Sequence, residues 1–426
     1  MNAGEGRSTK KPPRLRAAGI EEQILSLVAS KDKTLLDSHT LATGLTAAPH
    51  LLKSAAIYGA NASGKSNLLK ALQSMRGVVV ESTVVPLGQT FAVQPFRLDT
   101  ESEKQPIEFE VTFVMGGVRY QYGFSMTQQR IIREHLLVYK AFKPQRSFAR
   151  RVDEATGKDI YEFGPSLKGP KNVWEGATRS NVLFLSMAVQ LNSEALRPVF
   201  DWFANRLVIF NETSPLGLQL TAQMLKQSES RKRICDFLAA ADISIADIEV
   251  ATRKTSMPEV HVDFLTGKAE VRAKEIEAFR LRLSHVTDAG QAVFDLADES
   301  RGTQELLFLS GPVLELLGKG RTLVIDELSS MHTTLLQALV RLFYHPEINA
   351  GGSQLIFTTH NTSLLDAYGL FRRDQIWFME KQDDQSSRLY SLWEYSPRKN
   401  EALGRSYLQG RYGAVPMLGS PFGAPS

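Results

Sequence analysis

The spacing of apolar residues along the chain predicts a strand, a glycine-rich loop and a helix in its first fifth. Residues 54–58, SAAIY, are small and apolar and end at a glycine, which is typical of a buried strand. From Leu68 to Met75 the apolar residues recur at helical spacing. Residues 322–328 and 354–360 predict two more buried strands with a helix between them. This order predicts one split α/β domain with a large insertion.

The insertion carries two patterns of its own. In residues 106–126 apolar residues alternate on both sides of a Gly-Gly pair, which predicts a β-hairpin. The pattern then becomes mostly helical, and because no stretch sustains three heptads, no long coiled coil is predicted. We therefore expect a β-rich lobe at residues 90–150 and a helical insertion at 195–285, within a single domain of residues 19–426.

Shorter apolar segments predict further strands. Residues 21–30 predict a short strand near the start, and VLFLSMAVQLN at 182–192 predicts a buried strand. Residues 375–381 and 388–395 predict a terminal hairpin.

The composition is that of a globular protein, with 43% hydrophobic and 23% charged residues. No run of about 18 apolar residues exists, so no membrane span is expected. The polar, basic N-terminus lacks the apolar core of a secretory signal. The single cysteine, Cys235, fits a reducing compartment, so a cytoplasmic location is predicted.

The formal net charge of +4 is concentrated at the N-terminus. Residues 1–16 hold five basic residues and one acid, whereas the other 410 residues hold 45 of each. We therefore predict a disordered basic tail over residues 1–18 and a folded body without a global positive field. The basic stretch at 128–151 is either a solvated surface or a contact for nucleic acid or an acidic partner.

Residues Gly59–Ser66, GANASGKS, match the phosphate-binding pattern G-x-x-x-x-G-K-[ST] and lie between the predicted strand and helix. In such a loop the backbone N–H groups face the phosphates, and the helix dipole lies behind them. Lys65 is predicted to reach the β- and γ-phosphates of ATP, and Ser66 to bind Mg²⁺. The predicted nucleotide-binding residues of this loop are Gly59, Asn61, Ala62, Ser63, Gly64, Lys65, Ser66 and Asn67.

Acidic residues and a histidine follow the two later strands. Asp326 ends the strand in LVIDEL and is predicted to hold Mg²⁺, while Glu327 would orient or polarise the attacking water. His360, at the end of the next strand, is predicted to contact the γ-phosphate and report its loss. Glu327 and His360 are therefore the predicted catalytic residues.

A second anion site is predicted at Ser300, Gly302 and Thr303, which precede an apolar helix. Because the phosphate loop already supplies one such site in cis, this one is predicted to bind the γ-phosphate of ATP held by a partner subunit. A plain helix N-cap is the alternative.

The order of these motifs resembles that of the ATP-binding-cassette ATPases of the SMC, Rad50 and RecF type. Within that class the chain resembles the compact AAA15 family, the ATPases of bacterial defence operons of the RloA and AriA types. The resemblance covers roughly residues 20–420 and implies an α/β P-loop NTPase fold of the ABC-ATPase type. The segments that carry it are EEQILSLVAS, GANASGKSNLLKAL, FRLD, IEFEVTF, YQYGF, SRGTQELLFL, LVIDEL, FTTHNTSLLD and SYLQGRYGAVPML.

The resemblance also implies a Gln-loop residue, predicted as Gln190 with Gln94 as the competitor. Two segments depart from the pattern of the relatives. The stretch IDELSSMHTT stands where they read IDELDxSLHP, which leaves the coupling between two ATP sites open. LRAAGIEE stands where they carry a strand that ends in NFRSF.

The function implied is an ATPase switch in which two copies enclose ATP and Mg²⁺ and hydrolysis changes the assembly. In the resembling systems the output belongs to a partner, often a TOPRIM-type nuclease or a toxin. The alternative is a RecF- or Rad50-like ATPase of DNA maintenance that binds DNA directly. A transporter subunit is disfavoured because its Leu-Ser-Gly-Gly-Gln helix start is absent.

Overall fold

The computed structural model describes most of the chain beyond the predicted tail. The described residues are 22–416, except 87, 92, 97, 100–101, 141–142, 211–215, 264–267, 329–331 and 399–400, and except the side chains of 216–217, 256–263 and 268–277. The tail at 1–18, LRAAGIE at 15–21 and the Ser-Ser-Met segment after Leu328 lie outside the described residues.

The described elements are the following. The strands are β1 Thr40–Ala42, β2 His50–Leu52, β3 Ser54–Tyr58, β4 Ile107–Met115, β5 Val118–Met126, β6 Ile131–Tyr139, β7 Gln145–Val152, β8 Asp159–Phe163, β9 Leu207–Phe210, β10 Asp247–Asp263, β11 Lys268–Thr287, β12 Gly290–Asp295, β13 Thr322–Ile325, β14 Gln354–Thr358, β15 Ile376–Lys381 and β16 Ser387–Ser391. The α-helices are α1 Leu36–His39, α2 Lys65–Glu81, α3 Lys171–Ala177, α4 Phe184–Gln190, α5 Arg197–Asp201, α6 Leu216–Leu225, α7 Ser228–Ala239, α8 Arg301–Leu316, α9 Thr333–Tyr344 and α10 Leu403–Leu408.

The chain divides into two compact units. The first comprises the residues up to Ile209, Gly318–Leu328 and the residues from Val340 onward. The second comprises Phe210–Leu317 and Ser329–Leu339. Helix α9, Thr333–Tyr344, therefore begins in the second unit and ends in the first. The single domain expected for residues 19–426 stays a prediction.

The first unit is built around a six-stranded sheet of order β16-β15-β3-β14-β13-β9. Strands β15, β3, β14 and β13 run parallel, and β16 pairs antiparallel with β15. Strand β3 is fully buried, because small and branched apolar residues suit a strand that has neighbours on both sides. The strands predicted at 54–58, 322–328 and 354–360 are confirmed, as is the terminal hairpin.

Helix α2 begins where the glycine-rich loop ends. Its apolar face, predicted from Leu68 to Met75, lies in one core cluster with Ile57 of β3 and Ile356 of β14. Burying each leucine of such a face contributes about 1.5–3 kcal/mol. The start of α2 is therefore fixed against the sheet, and with it the position of the loop.

A second sheet in this unit is antiparallel and has the order β4-β5-β6-β7-β8. The predicted hairpin is confirmed as β4 and β5, joined by Gly116 and Gly117 with φ of 58° and 72°. Two positive φ values at the central positions are typical of a type I′ turn, which glycine adopts without strain. The sheet continues to Phe163, so it extends beyond the limit of the β-rich lobe predicted at residue 150.

Two apolar segments that were predicted as strands do not form strands in the structure. VLFLSMAVQLN forms helix α4, because an apolar run of this length cannot be assigned to helix or strand by its period alone. The helix start is fixed by Glu134, whose carboxylate accepts the backbone N–H groups of Phe184 at 2.7 Å and Leu185 at 3.0 Å. The prediction of a strand at 21–30 is also wrong, because its described residues form a single isolated bridge, between Val28 and Leu51.

The second unit contains α6, α7 and α8 and an antiparallel sheet of order β10-β11-β12. The helical insertion predicted at 195–285 is therefore wrong from Asp247 onward, where β10 pairs with β11 along its whole length. At the end of β11, buried Leu281 and Leu283 alternate with exposed arginines, and a period of two is typical of a strand. Pairing with distant residues overrides the helical propensity of this Lys-, Glu- and Ala-rich sequence.

Among the residues described, no helix has the length and apolar character needed to cross a membrane.

The packing of α8 on α6 gives a stability prediction. Gly311 of α8 has no room for a side chain, because a Cβ there would lie 2.6 Å from Thr221 Cα and 2.8 Å from Thr221 N. We expect Gly311→Ala to lower the free energy of unfolding by about 1–3 kcal/mol, the usual cost of overpacking. Chemical denaturation measures the change.

Gly77 of α2 is the matched control, because it is also helical and a Cβ there would meet nothing within 4 Å. Gly77→Ala should raise the free energy of unfolding by about 0.5–1 kcal/mol. Equal effects of the two substitutions would contradict the close approach of α8 to α6.

Candidate functional site

The phosphate-binding loop joins the end of β3 to the start of α2. Ala62 and Gly64 have positive φ values of 60° and 105°. A Cβ at Gly59 would lie 2.3 Å from the carbonyl oxygen of Met379, and one at Gly64 would lie 2.2 Å from Ser387 Oγ. Both glycines are therefore required by close packing against the β15–β16 hairpin, and the loop is held open at the N-terminus of a 17-residue helix.

Polar groups inside the loop fit a triphosphate. Lys65 Nζ donates hydrogen bonds to the carbonyl oxygens of Gly59 and Ala60, both at 2.9 Å. Ser63 is 1% exposed, and its buried hydroxyl has no hydrogen-bond partner among the described residues. An ammonium group, a buried hydroxyl and the helix N-terminus are the donor set that an anionic phosphate chain requires. Ser66, the predicted magnesium ligand, is the second residue of α2, and Asn61 and Asn67 are exposed.

The two acidic residues are held by the neighbouring strand. Glu327 N–H donates to Thr358 Oγ1 at 2.7 Å, and the same hydroxyl donates to Asp326 Oδ1 at 2.8 Å. Glu327 has a φ of 60°, a left-handed conformation that is rare for a residue with a side chain. The hydroxyl of Thr358 thus fixes a strained turn and orients the adjacent carboxylate.

Sequence reasoning missed Thr358. Its signal is a polar residue, 1% exposed, at the last position of a strand, directly after the three apolar residues Leu355–Phe357. A buried hydroxyl at that position must find partners, and here the partners are the backbone and side chain of the acidic pair.

Charges of the loop and of the strand ends act on one another. Partial burial lowers the pKa of Lys65, and the carboxylates of Glu327 and Asp326 act in the opposite direction. Burial and the positive charge of Lys65 lower the pKa of His360, which Glu327 opposes. His360 Nε2 lies 3.9 Å from Glu327 Oε1. His360 is therefore mostly neutral at pH 7 and able to donate or accept a hydrogen bond.

The structure separates the two candidates for the Gln-loop residue. Gln190 is exposed and ends helix α4, so the prediction that it follows a buried strand is wrong. Gln94 lines a cavity of about 740 Å³ together with Ala62, Gly64 and Asn67 of the loop region. Of the two candidates, Gln94 is thus the one that shares a cavity with the loop, although Gln23, Gln73 and Gln385 line it as well.

The same cavity has a distinctive polarity. Lys70, Lys381 and several amide and hydroxyl side chains line it together with apolar residues such as Leu68, Phe96 and Phe109, and no acidic residue among the described ones does. A cavity of this kind, next to a phosphate loop, suits a polar, anionic ligand with a flat ring.

Ser300, Gly302 and Thr303 belong to the second unit and are described within it. Ser300 is the N-cap of α8, and its Oγ accepts the N–H of Thr303 at 3.2 Å. A Cβ at Gly302 would meet only Ser300 Oγ, at 4.0 Å. Ser300 therefore does act as a helix N-cap, as the alternative prediction stated. The free space at Gly302 also leaves the first turn of this 16-residue helix accessible to an anion.

The basic stretch at 128–151 is partly committed to internal ion pairs. Arg130 Nη2 lies 3.0 Å from Asp159 Oδ1, and Arg146 pairs with Glu162. Arg150 is fully buried, where it contacts Asp159 at 2.8 Å. These pairs favour the reading of a structural surface over that of a nucleic-acid contact.

A family model described as "AAA domain, putative AbiEii toxin, Type IV TA system" matches residues 54–366, which include the loop, the acidic pair and His360. The SMC head domain from Thermotoga maritima is similar, with 14% identity, a TM-score of 0.34 and coverage of 79% of this chain and 89% of that one. The SMC head bound to the C-winged helix domain of ScpA gives 14% identity, a TM-score of 0.31 and coverage of 80% and 91%. No curated protein matches the chain.

Proposed function

Since the chain belongs to this AAA family of P-loop ATPases, we propose that it is a Mg²⁺-dependent ATPase that acts as a nucleotide-controlled switch. The observation that carries the proposal is the meeting of Lys65, the Asp326–Glu327 pair and His360 at the ends of three parallel strands. A lysine binds phosphate, and a carboxylate that orients water adds what hydrolysis needs beyond binding, with Mg²⁺ as the further requirement.

Each residue has a separate task in this proposal. Lys65 and the N–H groups of the loop bind the phosphates, and Ser66 with Asp326 would hold Mg²⁺, which neutralises phosphate charge when bound. Glu327 orients the attacking water from a turn fixed by Thr358. His360, which lies 3.9 Å from Glu327, would contact the γ-phosphate and report its loss. The cavity beside Gln94 accommodates the nucleoside.

We further propose that the switch serves a bacterial anti-phage defence system and controls a partner effector. The description of the matching family names a toxin and a type IV toxin–antitoxin system, and the motifs resemble those of defence ATPases. Two copies would enclose ATP, with the Ser300 helix of one copy facing the loop of the other. The effector would be a TOPRIM-type nuclease or a toxin, and the cell compartment would be the cytoplasm.

A phage challenge tests this function. In cells that carry the chain with its neighbouring genes, we expect the parent to reduce plaque formation and Lys65→Ala to lose that protection, because an effector cannot be controlled without ATP binding. Lys158→Ala, which removes an exposed lysine in the turn between β7 and β8, is the control and should retain protection. Protection that survives Lys65→Ala would show that nucleotide binding is not needed for defence.

A further inference from the structure

The last described residues of the chain have no role in the ATPase site proposed for this protein. Residues 401–416, here called the C-terminal clasp, contain α10 and the segment YLQGRYGAVP. Tyr407 and Tyr412 are 5% and 2% exposed, so this segment is part of the core of the first unit rather than a loose end.

On one side the clasp packs against the strand that leads into the phosphate loop. The Tyr407 ring stacks on Phe378 of β15 with centroids 5.2 Å apart and meets the Tyr58 ring edge-on at 6.0 Å. Tyr58 is the last residue of β3 and directly precedes Gly59. The clasp therefore supports the strand end from which the loop begins.

The clasp is also fastened to the β15–β16 hairpin. The backbone N–H of Ala414 donates to Glu380 Oε1 at 3.1 Å, and Tyr390 OH donates to the carbonyl of Tyr412 at 2.7 Å. Gly413 has a φ of 68°, and a Cβ there would lie 2.6 Å from the Tyr390 hydroxyl. Glu380 follows Met379, whose carbonyl packs against Gly59, so the same hairpin contacts both the clasp and the loop.

On its other side the clasp contacts the turn that follows His360. Gly404 N–H donates to Asp366 Oδ1 at 2.8 Å. A Cβ at Gly404 would lie 2.5 Å from Asp366 Oδ2 and 2.9 Å from the carbonyl oxygen of Thr362. Thr362 begins a 3₁₀ turn two residues after His360. Only glycine therefore allows α10 to approach this turn so closely.

We propose that the C-terminal clasp is a positioning element of the ATPase site, with Gly404 and Asp366 as the positioning residues that hold His360 at its working distance from the phosphate loop. The inference rests on the proposed function. Its physical basis is that one rigid segment contacts both the strand before the loop and the turn after the histidine. Displacing a catalytic group by about 1 Å can lower a rate by 100-fold.

Gly404→Ala tests the proposal. The added methyl group pushes the 362–366 turn away from α10 without touching Lys65 or its loop. We expect kcat for ATP hydrolysis to fall about 10- to 100-fold while the nucleotide Kd changes less than about twofold. The control is Leu408→Ala in the same helix, whose side chain is 65% exposed and should leave both values unchanged.

A second background separates positioning from general destabilisation. If the clasp acts through His360, Gly404→Ala should add no further loss of kcat to His360→Ala, because residues that act as a unit are not additive. The same loss in both backgrounds, or an unchanged kcat, would overturn the proposal.

Should Gly404→Ala fail to fold, Asp366→Ala replaces it, because this variant removes the acceptor of the Gly404 N–H and adds no atom. The same selective loss of kcat is then expected, and parallel losses in kcat and nucleotide affinity would contradict it. A parent protein that hydrolyses no ATP would instead refute the proposed function, so the two failures are distinguishable.

Discussion

Replacing Glu327 with glutamine is expected to stop ATP hydrolysis and leave ATP binding in place. The side chain is 45% exposed and 3.9 Å from His360, at the mouth of the site rather than inside the loop. Glutamine keeps the shape of the side chain but loses the charge that polarises water. Loss of such a general base costs a factor of about 10² to 10⁴ in rate. The Thr358 bond to the backbone N–H of residue 327 is unaffected, so the turn stays folded.

Phosphate release and nucleotide binding, both measured with Mg²⁺ and again with EDTA, check this prediction. Hydrolysis by the parent should disappear with EDTA, because the Mg²⁺ that Ser66 and Asp326 would hold is then removed and no longer neutralises phosphate charge. Glu347→Gln, an exposed residue after α9, is the matched control and should hydrolyse ATP at the parental rate. If Glu327→Gln also hydrolysed ATP at that rate, Glu327 would not be the residue that orients water.

The strand, loop and helix from Ser54 to Glu81 could be predicted because their signals are local. A glycine-rich turn, a lysine and helical spacing of leucines occur within a few residues of one another, and each agrees with the next. The buried strands that end at Ile325 and Thr358 were equally clear, since their apolar runs have the length of strands.

The insertion could not be predicted in the same way. The sequence of β11 is rich in residues that favour helices, and only its pairing with β10 and β12 makes it a strand. Helix α4 is the reverse case, an apolar run whose helical state depends on a carboxylate from Glu134, about 50 residues earlier in the chain. Both errors come from contacts that are distant in sequence.

The roles of Thr358 and Gly404 could not be predicted from either local signals or strand pairing. A threonine and a glycine at these positions give no signal in the sequence. Thr358 matters because its hydroxyl joins two acidic residues, and Gly404 because it has no Cβ beside Asp366. These contacts join residues far apart in the sequence, so they can be seen only when the positions of the strands and helices are known. The candidate site residues can thus be proposed from the sequence, whereas the residues that support them are recognised only in the folded structure.

If two copies enclose ATP as proposed, mixing two inactive variants should restore part of the hydrolysis. Ser300 and Lys65 belong to different units of one chain. If Ser300 acts on ATP held by a partner, Lys65→Ala and Ser300→Arg should each be inactive alone. Mixed in equal amounts, they form mixed dimers in which one of the two sites has intact halves. About a quarter of the parental activity is then expected, because half of the dimers are mixed.

The controls distinguish a role in trans from loss of the helix cap. Ser300 caps α8 through the N–H of Thr303, so Ser300→Arg should also cost about 1 kcal/mol of stability. Ser300→Asp keeps the cap, since aspartate is a good N-cap, and brings a negative charge toward the phosphate. It should therefore be stable, inactive alone and rescued by Lys65→Ala. A mixture of Lys65→Ala with Glu327→Gln damages the same half of both sites and should give no rescue. Failure of both Ser300 variants to complement, with the chains folded and associated, would leave Ser300 as a helix cap and nothing more.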